Sequence, residues 1–348
     1  SIRGRSPASA AAETTPISEM GSEKPVMDSK NKNIGYGKLI LFGEHFVVYK
    51  VPALVAAVKA STSCKVELSK KCSETEDGPW STGIIVEDNR PAVPGYKRKK
   101  RDEMLQATQL VLKHFKVDTK SQGVKITLGG DLCAVSGIGA SASNAVSLSR
   151  ALAEALGMKL TEEEVNRAGY EGEKGYHGTP SGIDNTAATY GGVLSFCRTD
   201  NDPIFQVKKL PSPCRIVYAS TGITSSTTKV VGDVRAKKDQ DPAWFDKLMT
   251  GYKKVYEQAE KALEAGDWKK VGELANENHK LLQDLTVSCK ELDTLVDAAK
   301  KAGAVGAKMA GTGRGGLMWA ICLDAKAQDA VYDALAKIAP QVWKTEFA

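Results

Sequence analysis

VSGIGASASNAVSLSRALAEAL, Val135 to Leu156, changes character along its length. It opens with two glycines two apart, Gly137 and Gly139, with Ile138 between them. The small residues Ala140, Ser141, Ala142 and Ser143 follow. From there Ala145, Leu148, Leu152 and Leu156 recur at steps of three and four, one face of a helical period. Upstream, Val124 to Leu128 (VKITL) alternates as a strand does. The order is strand, glycine-rich turn, helix. Backbone N–H groups at a helix N-terminus lack partners within the helix, and the macrodipole there favours negative charge. Small side chains let phosphate oxygens come close to those N–H groups. The Ser141 hydroxyl could hold a phosphate or a Mg²⁺ ion. Taken alone, the stretch reads equally well as a plain tight turn. Its spacing is not G-x-x-x-x-G-K-[ST], so it is not a P-loop. No H-R-D or D-F-G occurs, which argues against a protein kinase.

The chain has 348 residues, enough for two domains of ordinary size. Hydrophobic residues make up 42% and charged residues 26%, the balance of a soluble globular protein. A formal net charge of +6 suits an anionic substrate and is too diffuse to imply nucleic acid. The run Lys97 to Arg101 (KRKKR) is followed at once by Asp102, Glu103 and an apolar periodic segment, so it reads as a solvated helix start. Seven scattered cysteines without a C-x-x-C pair fit reduced thiols and a cytoplasmic location. The four histidines do not cluster at zinc spacing. No apolar run is long enough to span a bilayer, so no membrane is expected.

Residues 1–32 are rich in Ala, Ser, Pro, Thr and Glu and read as a disordered tail, faintly like a transit peptide at the start. Order is expected from Ile34. Tyr36 to Phe42 is an apolar segment carrying one lysine, Lys38, either partnered or snorkelling at an edge. Gly43-Glu44-His45 follows, Phe46 to Tyr49 resumes the apolar pattern, and Ala53–Val58 and Lys65–Leu68 read as further strands. Gly78 to Gly95 reads as a loop and Asp102 to Phe115 as an amphipathic helix. Thr161 with Glu164 three residues on is a capping box opening a helix that carries Glu171 and Glu173. Tyr176 to Asn185 (YHGTPSGIDN) is a loop with demanding backbone angles; Asp184 within it reads as a helix cap or a functional carboxylate. A second unit begins near Pro211. It has a strand at Arg215–Ala219, a hydroxyl-rich stretch at Thr221–Lys229 and three helices at Pro242–Ala265, Trp268–Leu282 and Ser288–Lys301. A glycine-rich stretch, Gly303 to Gly316, precedes a strand at Leu317–Leu323, a helix at Lys326–Ile338 and a strand at Val342–Phe347. The class is α+β.

Gly311-Thr312-Gly313-Arg314-Gly315-Gly316 matches G-x-G-x-x-G, but a dinucleotide fingerprint needs a helix after it. Here the strand-like run LMWAIC follows directly. A glycine-rich loop that approaches a ligand is the better reading.

Three motifs stand in order: GKLILFGEHFVVY (Gly37 to Tyr49), SGIGASASNAVSLSRAL (Ser136 to Leu152) and GAKMAGTGRGG (Gly306 to Gly316). Together they resemble the signatures of the GHMP small-molecule kinases. The GEH with its preceding lysine and the HGTPSGIDN loop are similar to the mevalonate kinases within that superfamily. The resemblance covers roughly Ile34 to Phe347. It implies a two-domain fold. A ribosomal-protein-S5-like, ATP-binding N-terminal domain would span residues 33–208. A ferredoxin-like C-terminal domain with extra helices would span 209–348. It implies ATP-dependent phosphorylation of the primary hydroxyl of (R)-mevalonate, with Mg²⁺, by a protein that could be a homodimer.

By the same resemblance, Val135, Ser136, Gly137, Ile138, Gly139, Ala140, Ser141 and Ala142 match the nucleotide-phosphate loop, and Ser141 and Glu173 the Mg²⁺-contacting pair. Asp184 matches the base placed against the substrate hydroxyl, and Lys38 the lysine beside it. Glu44, His45, Thr179 and Thr228 match positions on the substrate side. Arg314 stands where a glycine is usual, and could contact a phosphate or point outward. His45, the hydroxyls of TGITSSTTK and Arg314 are candidates to meet the carboxylate of mevalonate. The alternatives are another member, such as a phosphomevalonate, homoserine or sugar kinase, or a non-catalytic regulator with this fold.

Overall fold

The computed structural model describes residues 32–69, 83–200 and 203–347. The sequence-expected tail, residues 1–32, lies outside the described residues apart from Lys32. The first sheet holds β1 (Ile34–Phe42), β2 (Ala53–Leu68), β3 (Gly83–Asp88), β4 (Gly123–Gly130), β5 (Val193–Cys197) and β6 (Ile204–Lys208). Its order is β3-β4-β2-β5-β6, with β1 also on β2. β2 organises it. Leu54 to Ser63 pairs with β1, Thr62 to Leu68 with β4 and Ala53 to Ala56 with β5, all antiparallel. Only β3 and β4 run parallel among the pairings described.

Two sequence expectations change here. Ala53–Val58 and Lys65–Leu68 are the ends of one 16-residue strand, because the polar stretch between them is carried across neighbouring strands. Phe46 to Tyr49 is a turn of 3₁₀ helix, not a strand, entered through His45 at φ 62°. β3 lies inside the stretch read as a loop and β6 follows β5. Both are edge strands with little buried apolar surface, so their patterns are faint.

The helices α1 (Tyr96–Lys99), α2 (Arg101–His114), α3 (Ala140–Ala155), α4 (Glu162–His177) and α5 (Ile183–Tyr190) accompany this sheet. α3 is buried from Ala140 to Ala153 except at Ser141, which explains its run of small residues. Its first turn lies on β1, where the Ser143 hydroxyl donates to the Gly35 carbonyl at 2.5 Å. Near its C-terminal end, the Arg150 guanidinium donates to the carbonyls of Ile34 (2.5 Å) and Thr189 (2.9 Å) and pairs with Glu162. α4 begins with the expected capping box: Glu164 N–H donates to Thr161 Oγ1, and Thr161 N–H to the Glu164 carboxylate.

The second sheet has β7 (Arg215–Ser220), β8 (Gly306–Ala310), β9 (Leu317–Cys322) and β10 (Gln341–Glu346) in the order β10-β7-β9-β8, all antiparallel. Between β7 and β8 come α6 (Thr227–Gln240), α7 (Pro242–Ala265), α8 (Trp268–Asp284) and α9 (Lys290–Lys301); α10 (Ala325–Ala336) joins β9 to β10. This is the β-α-β-β-α-β connectivity of a ferredoxin-like domain with added helices. α6 begins inside the hydroxyl-rich stretch, which shows no element in the sequence; it buries only Val230 and Val234, too few to give a helical period. β8 is wholly buried, so it shows no alternation within its glycine-rich surroundings. α8 sits directly on it: a Cβ at Gly306 would lie 1.9 Å from the Gly272 carbonyl oxygen.

One hydrophobic cluster runs through both sheets, from Leu39, Phe42 and Leu54 to Ile216, Trp319 and Phe347. Trp319 Nε1 donates to the Ile40 carbonyl at 3.0 Å, and Val58 forms a single bridge to Phe347. The described chain from Lys32 onward is one compact unit.

Candidate active site

A cavity of about 430 Å³ opens where the turn before α3, the Gly43–His45 corner, the start of α5 and the Gly311–Thr312 loop converge. Lys38 reaches it from β1. Lysine inside a buried strand needs a partner, and Nζ lies 3.1 Å from Asp184 Oδ1 in the first turn of α5. The Lys38 side chain is 7% exposed and that of Asp184 31%. Asp184 is not the α5 cap, a position held by Gly182, so its carboxylate is not consumed by the helix end.

The phosphate-loop candidate is built around the same lysine. The Lys38 N–H donates to the Ile138 carbonyl at 2.8 Å. Gly139, at φ 75°, caps α3, and a Cβ there would come within 2.8 Å of Lys38 Cγ. Gly139 therefore needs to be glycine twice over, for its left-handed backbone and for its approach to the lysine. Val135, Ser136, Gly137, Gly139, Ala140 and Ser141 line the cavity. Ile138 and Ala142 do not: their side chains are fully buried in the core.

Behind Ser141 lies Glu173, 1% exposed on α4. Its Oε1 has no hydrogen-bond partner and its Oε2 is 3.8 Å from His177 Nε2. Burial, then the nearby Asp184 charge, pushes the Glu173 carboxyl up to about 8, against the Ser141 hydroxyl and Lys38, which favour the anion. His177 Nε2 is also 3.3 Å from Ser141 Oγ. Partial burial lowers the His177 pKa against the opposing Asp184 charge.

On the opposite wall are Glu44 and His45. Glu44 pairs with Lys308 of β8, both side chains fully buried, and its Oε2 has no partner. His45 Nε2 is 2.7 Å from the Thr312 carbonyl oxygen. A carbonyl only accepts, so Nε2 carries the hydrogen, and the buried, unpartnered Nδ1 is a bare acceptor. Burial also lowers the His45 pKa, which keeps that tautomer neutral.

Some candidates fall elsewhere. Thr228 is exposed, and its neighbour Thr227 lines the cavity. Both lie in the first turn of α6, where successive side chains point about 100° apart. Thr227 Oγ1 meets Thr312 Oγ1 at 2.7 Å. Thr179 is exposed and does not line the cavity. Arg314 turns away to pair with Asp233 of α6 and to donate to the Thr286 carbonyl. The KRKKR run is not simply a solvated start: Lys97 pairs with Asp88 at 3.6 Å, and Lys100 lines this cavity and a second, of about 550 Å³, that continues from it past Tyr96 and Ser136.

Residues 103–192 match the GHMP kinases N terminal domain and residues 259–341 the GHMP kinases C terminal family. A mevalonate kinase of Thermococcus gammatolerans is 33% identical over 88% of this chain and 93% of its own. One from Pyrococcus horikoshii is 32% identical over 82% and 86%. The chain belongs to the mevalonate kinase family of GHMP kinases. The crystal structure of L. major mevalonate kinase in complex with R-mevalonate superposes with a TM-score of 0.86. It is 45% identical and covers 91% of this chain and 95% of that one.

In this mevalonate kinase family member, some cavity residues carry no signal in the sequence. Tyr96 and Val231 come from segments without a motif, whereas Lys100 belongs to the KRKKR run and Ser225 to the hydroxyl-rich TGITSSTTK stretch. His177 and Thr312 lie inside motifs already singled out, and their chemistry only becomes visible once Ser141 and His45 are placed beside them.

Proposed function

We propose that this protein transfers the γ-phosphoryl group of ATP to the primary hydroxyl of (R)-mevalonate, giving 5-phosphomevalonate and ADP. The observation that carries the reading is the 3.1 Å contact of Lys38 with Asp184 on the floor of a cavity whose other wall is a helix N-terminus. Phosphoryl transfer needs positioning and charge neutralisation more than covalent help. The N–H groups at the start of α3 receive phosphate oxygens, and Lys38 supplies a fixed cation. Asp184 accepts the proton as the alcohol oxygen bonds to phosphorus and the bond to the ADP oxygen breaks.

Glu173 and Ser141 fit a divalent cation. Glu173 has a bare buried oxygen, and its carboxyl is neutral at pH 7 unless a positive charge joins it. Mg²⁺ held there would neutralise charge on the phosphate oxygens. The bare atoms opposite, Glu44 Oε2 and His45 Nδ1, are acceptors. They suit the hydroxyls of mevalonate rather than its carboxylate. The carboxylate goes instead to the Thr227–Thr312 pair, whose two hydroxyls share one hydrogen and leave one to donate.

The test is ADP release with mevalonate against homoserine, galactose and phosphomevalonate, repeated with Asp184→Asn. Mevalonate alone should support turnover, and the variant should lose about 10²–10⁴-fold in kcat. Turnover with another alcohol in preference, or a variant changed only in KM, would overturn the assignment of substrate or base respectively.

A further inference from the structure

Lys308 stands in the middle of β8, where all five residues are buried, and its side chain is 0% exposed. Nζ donates to Glu44, 264 residues earlier in the chain, and at 2.7 Å to the Met309 carbonyl; it sits 5.6 Å above the Trp319 ring. Burial works against both charges, raising the Glu44 pKa and lowering that of Lys308. A buried ion pair of this kind gives little stability over an apolar pair of the same volume. It fixes one arrangement instead: Lys308 occupies Glu44 Oε1 and leaves Oε2 buried and unpartnered, on a residue that lines the cavity. The same corner is tied a second time, to the turn that follows β8, by His45 on the Thr312 carbonyl four residues after Lys308.

We propose that Lys308 is a positioning residue for the phosphoryl acceptor: it orients Glu44 so that Oε2 receives a hydroxyl of the alcohol substrate. This rests on the acceptor lying against Glu44, as proposed above. Lys308 touches neither the phosphate loop nor Asp184, so its effect falls on the acceptor and not on ATP.

The experiment is a double-mutant cycle of Lys308→Met and Glu44→Gln, with KM for mevalonate, KM for ATP and kcat measured on each. Lys308→Met should raise KM for mevalonate about tenfold or more and leave KM for ATP within about twofold. Once Glu44 is glutamine, removing Lys308 should add nothing: the double variant should match Glu44→Gln in mevalonate KM within about twofold. An unchanged mevalonate KM in Lys308→Met, a parallel rise for ATP, or effects that multiply would overturn the proposal. If Lys308→Met leaves an unpaired buried carboxylate that prevents folding, the double variant removes both charges. Its comparison with Glu44→Gln alone then decides. A wild-type protein with no mevalonate turnover would instead sink the functional reading.

Discussion

Glu173 has one carboxylate oxygen bare inside the protein, with its pKa raised from the usual 4.5 to about 8. Between those values the folded chain holds a proton that the unfolded chain has released. Its contribution therefore turns increasingly against folding as pH climbs from about 4.5 to about 8. Glutamine has no proton to lose. In chelator, Glu173→Gln should melt close to wild type near pH 5 and above it near pH 8. Added Mg²⁺ should raise the wild-type melting temperature at pH 8 and not that of the variant, because binding to the folded state is stabilising. A difference in melting temperature that ignores pH, or Mg²⁺ acting equally on both, would remove Glu173 from the metal. Of the residues named from sequence, Lys38 stands out locally, as a lysine in an apolar strand; Ser141, a hydroxyl at a helix start, and Asp184, an acid in a glycine-rich loop, are singled out only by the ordered set of motifs they belong to. The pairing of Glu44 with Lys308 could not, since nothing local to either residue mentions the other.

At the scale of elements, long periodic helices were legible and short or edge pieces were not. Pro242–Ala265 has its ends marked by Asp241 as N-cap and Gly266 as an αL C-cap, and the structure starts and stops it there. α6 and β8 were hidden for opposite reasons, one burying too little to show a period and the other burying everything. α4 gives a clean separation of stability from chemistry. Its capping box at Thr161 lies 12 residues, more than three turns, from Glu173 at the working end. Thr161→Ala removes the acceptor for the Glu164 N–H and should cost about 1 kcal/mol, or a drop of roughly 2 °C in a chain this long. The kcat and the KM for ATP should stay within about twofold, since the rest of α4 is held by packing on α2 and α3. A loss of activity without a loss of melting temperature would mean that the cap, not the packing, sets the position of Glu173.

The whole molecule holds its site at a seam. Lys38 and Glu44 belong to the first sheet and its corner, Thr312 and Lys308 to the second, so the cavity keeps its shape only while the two sheets stay in register. Composition and motif order pointed to two α+β halves, but not to the single core beneath them, because the contacts that join the halves are between residues hundreds apart. Phe46 stacks on Tyr252 with ring centroids 4.5 Å apart, the Tyr252 hydroxyl donates to the Pro52 carbonyl at 2.5 Å, and Trp319 Nε1 donates to the Ile40 carbonyl at 3.0 Å. Neither sheet can open without exposing apolar surface belonging to the other, which couples their unfolding. In urea, tryptophan fluorescence and far-UV circular dichroism should therefore trace one coincident transition. Trp319→Ala takes a fully buried side chain out of that shared core and should cost about 3–5 kcal/mol. Its effect should be to move the midpoints of both probes together, with the slope unchanged. Two resolved transitions in the wild type, or a Trp319→Ala shift confined to one of them, would show that the halves unfold independently and that the seam is only a contact between them.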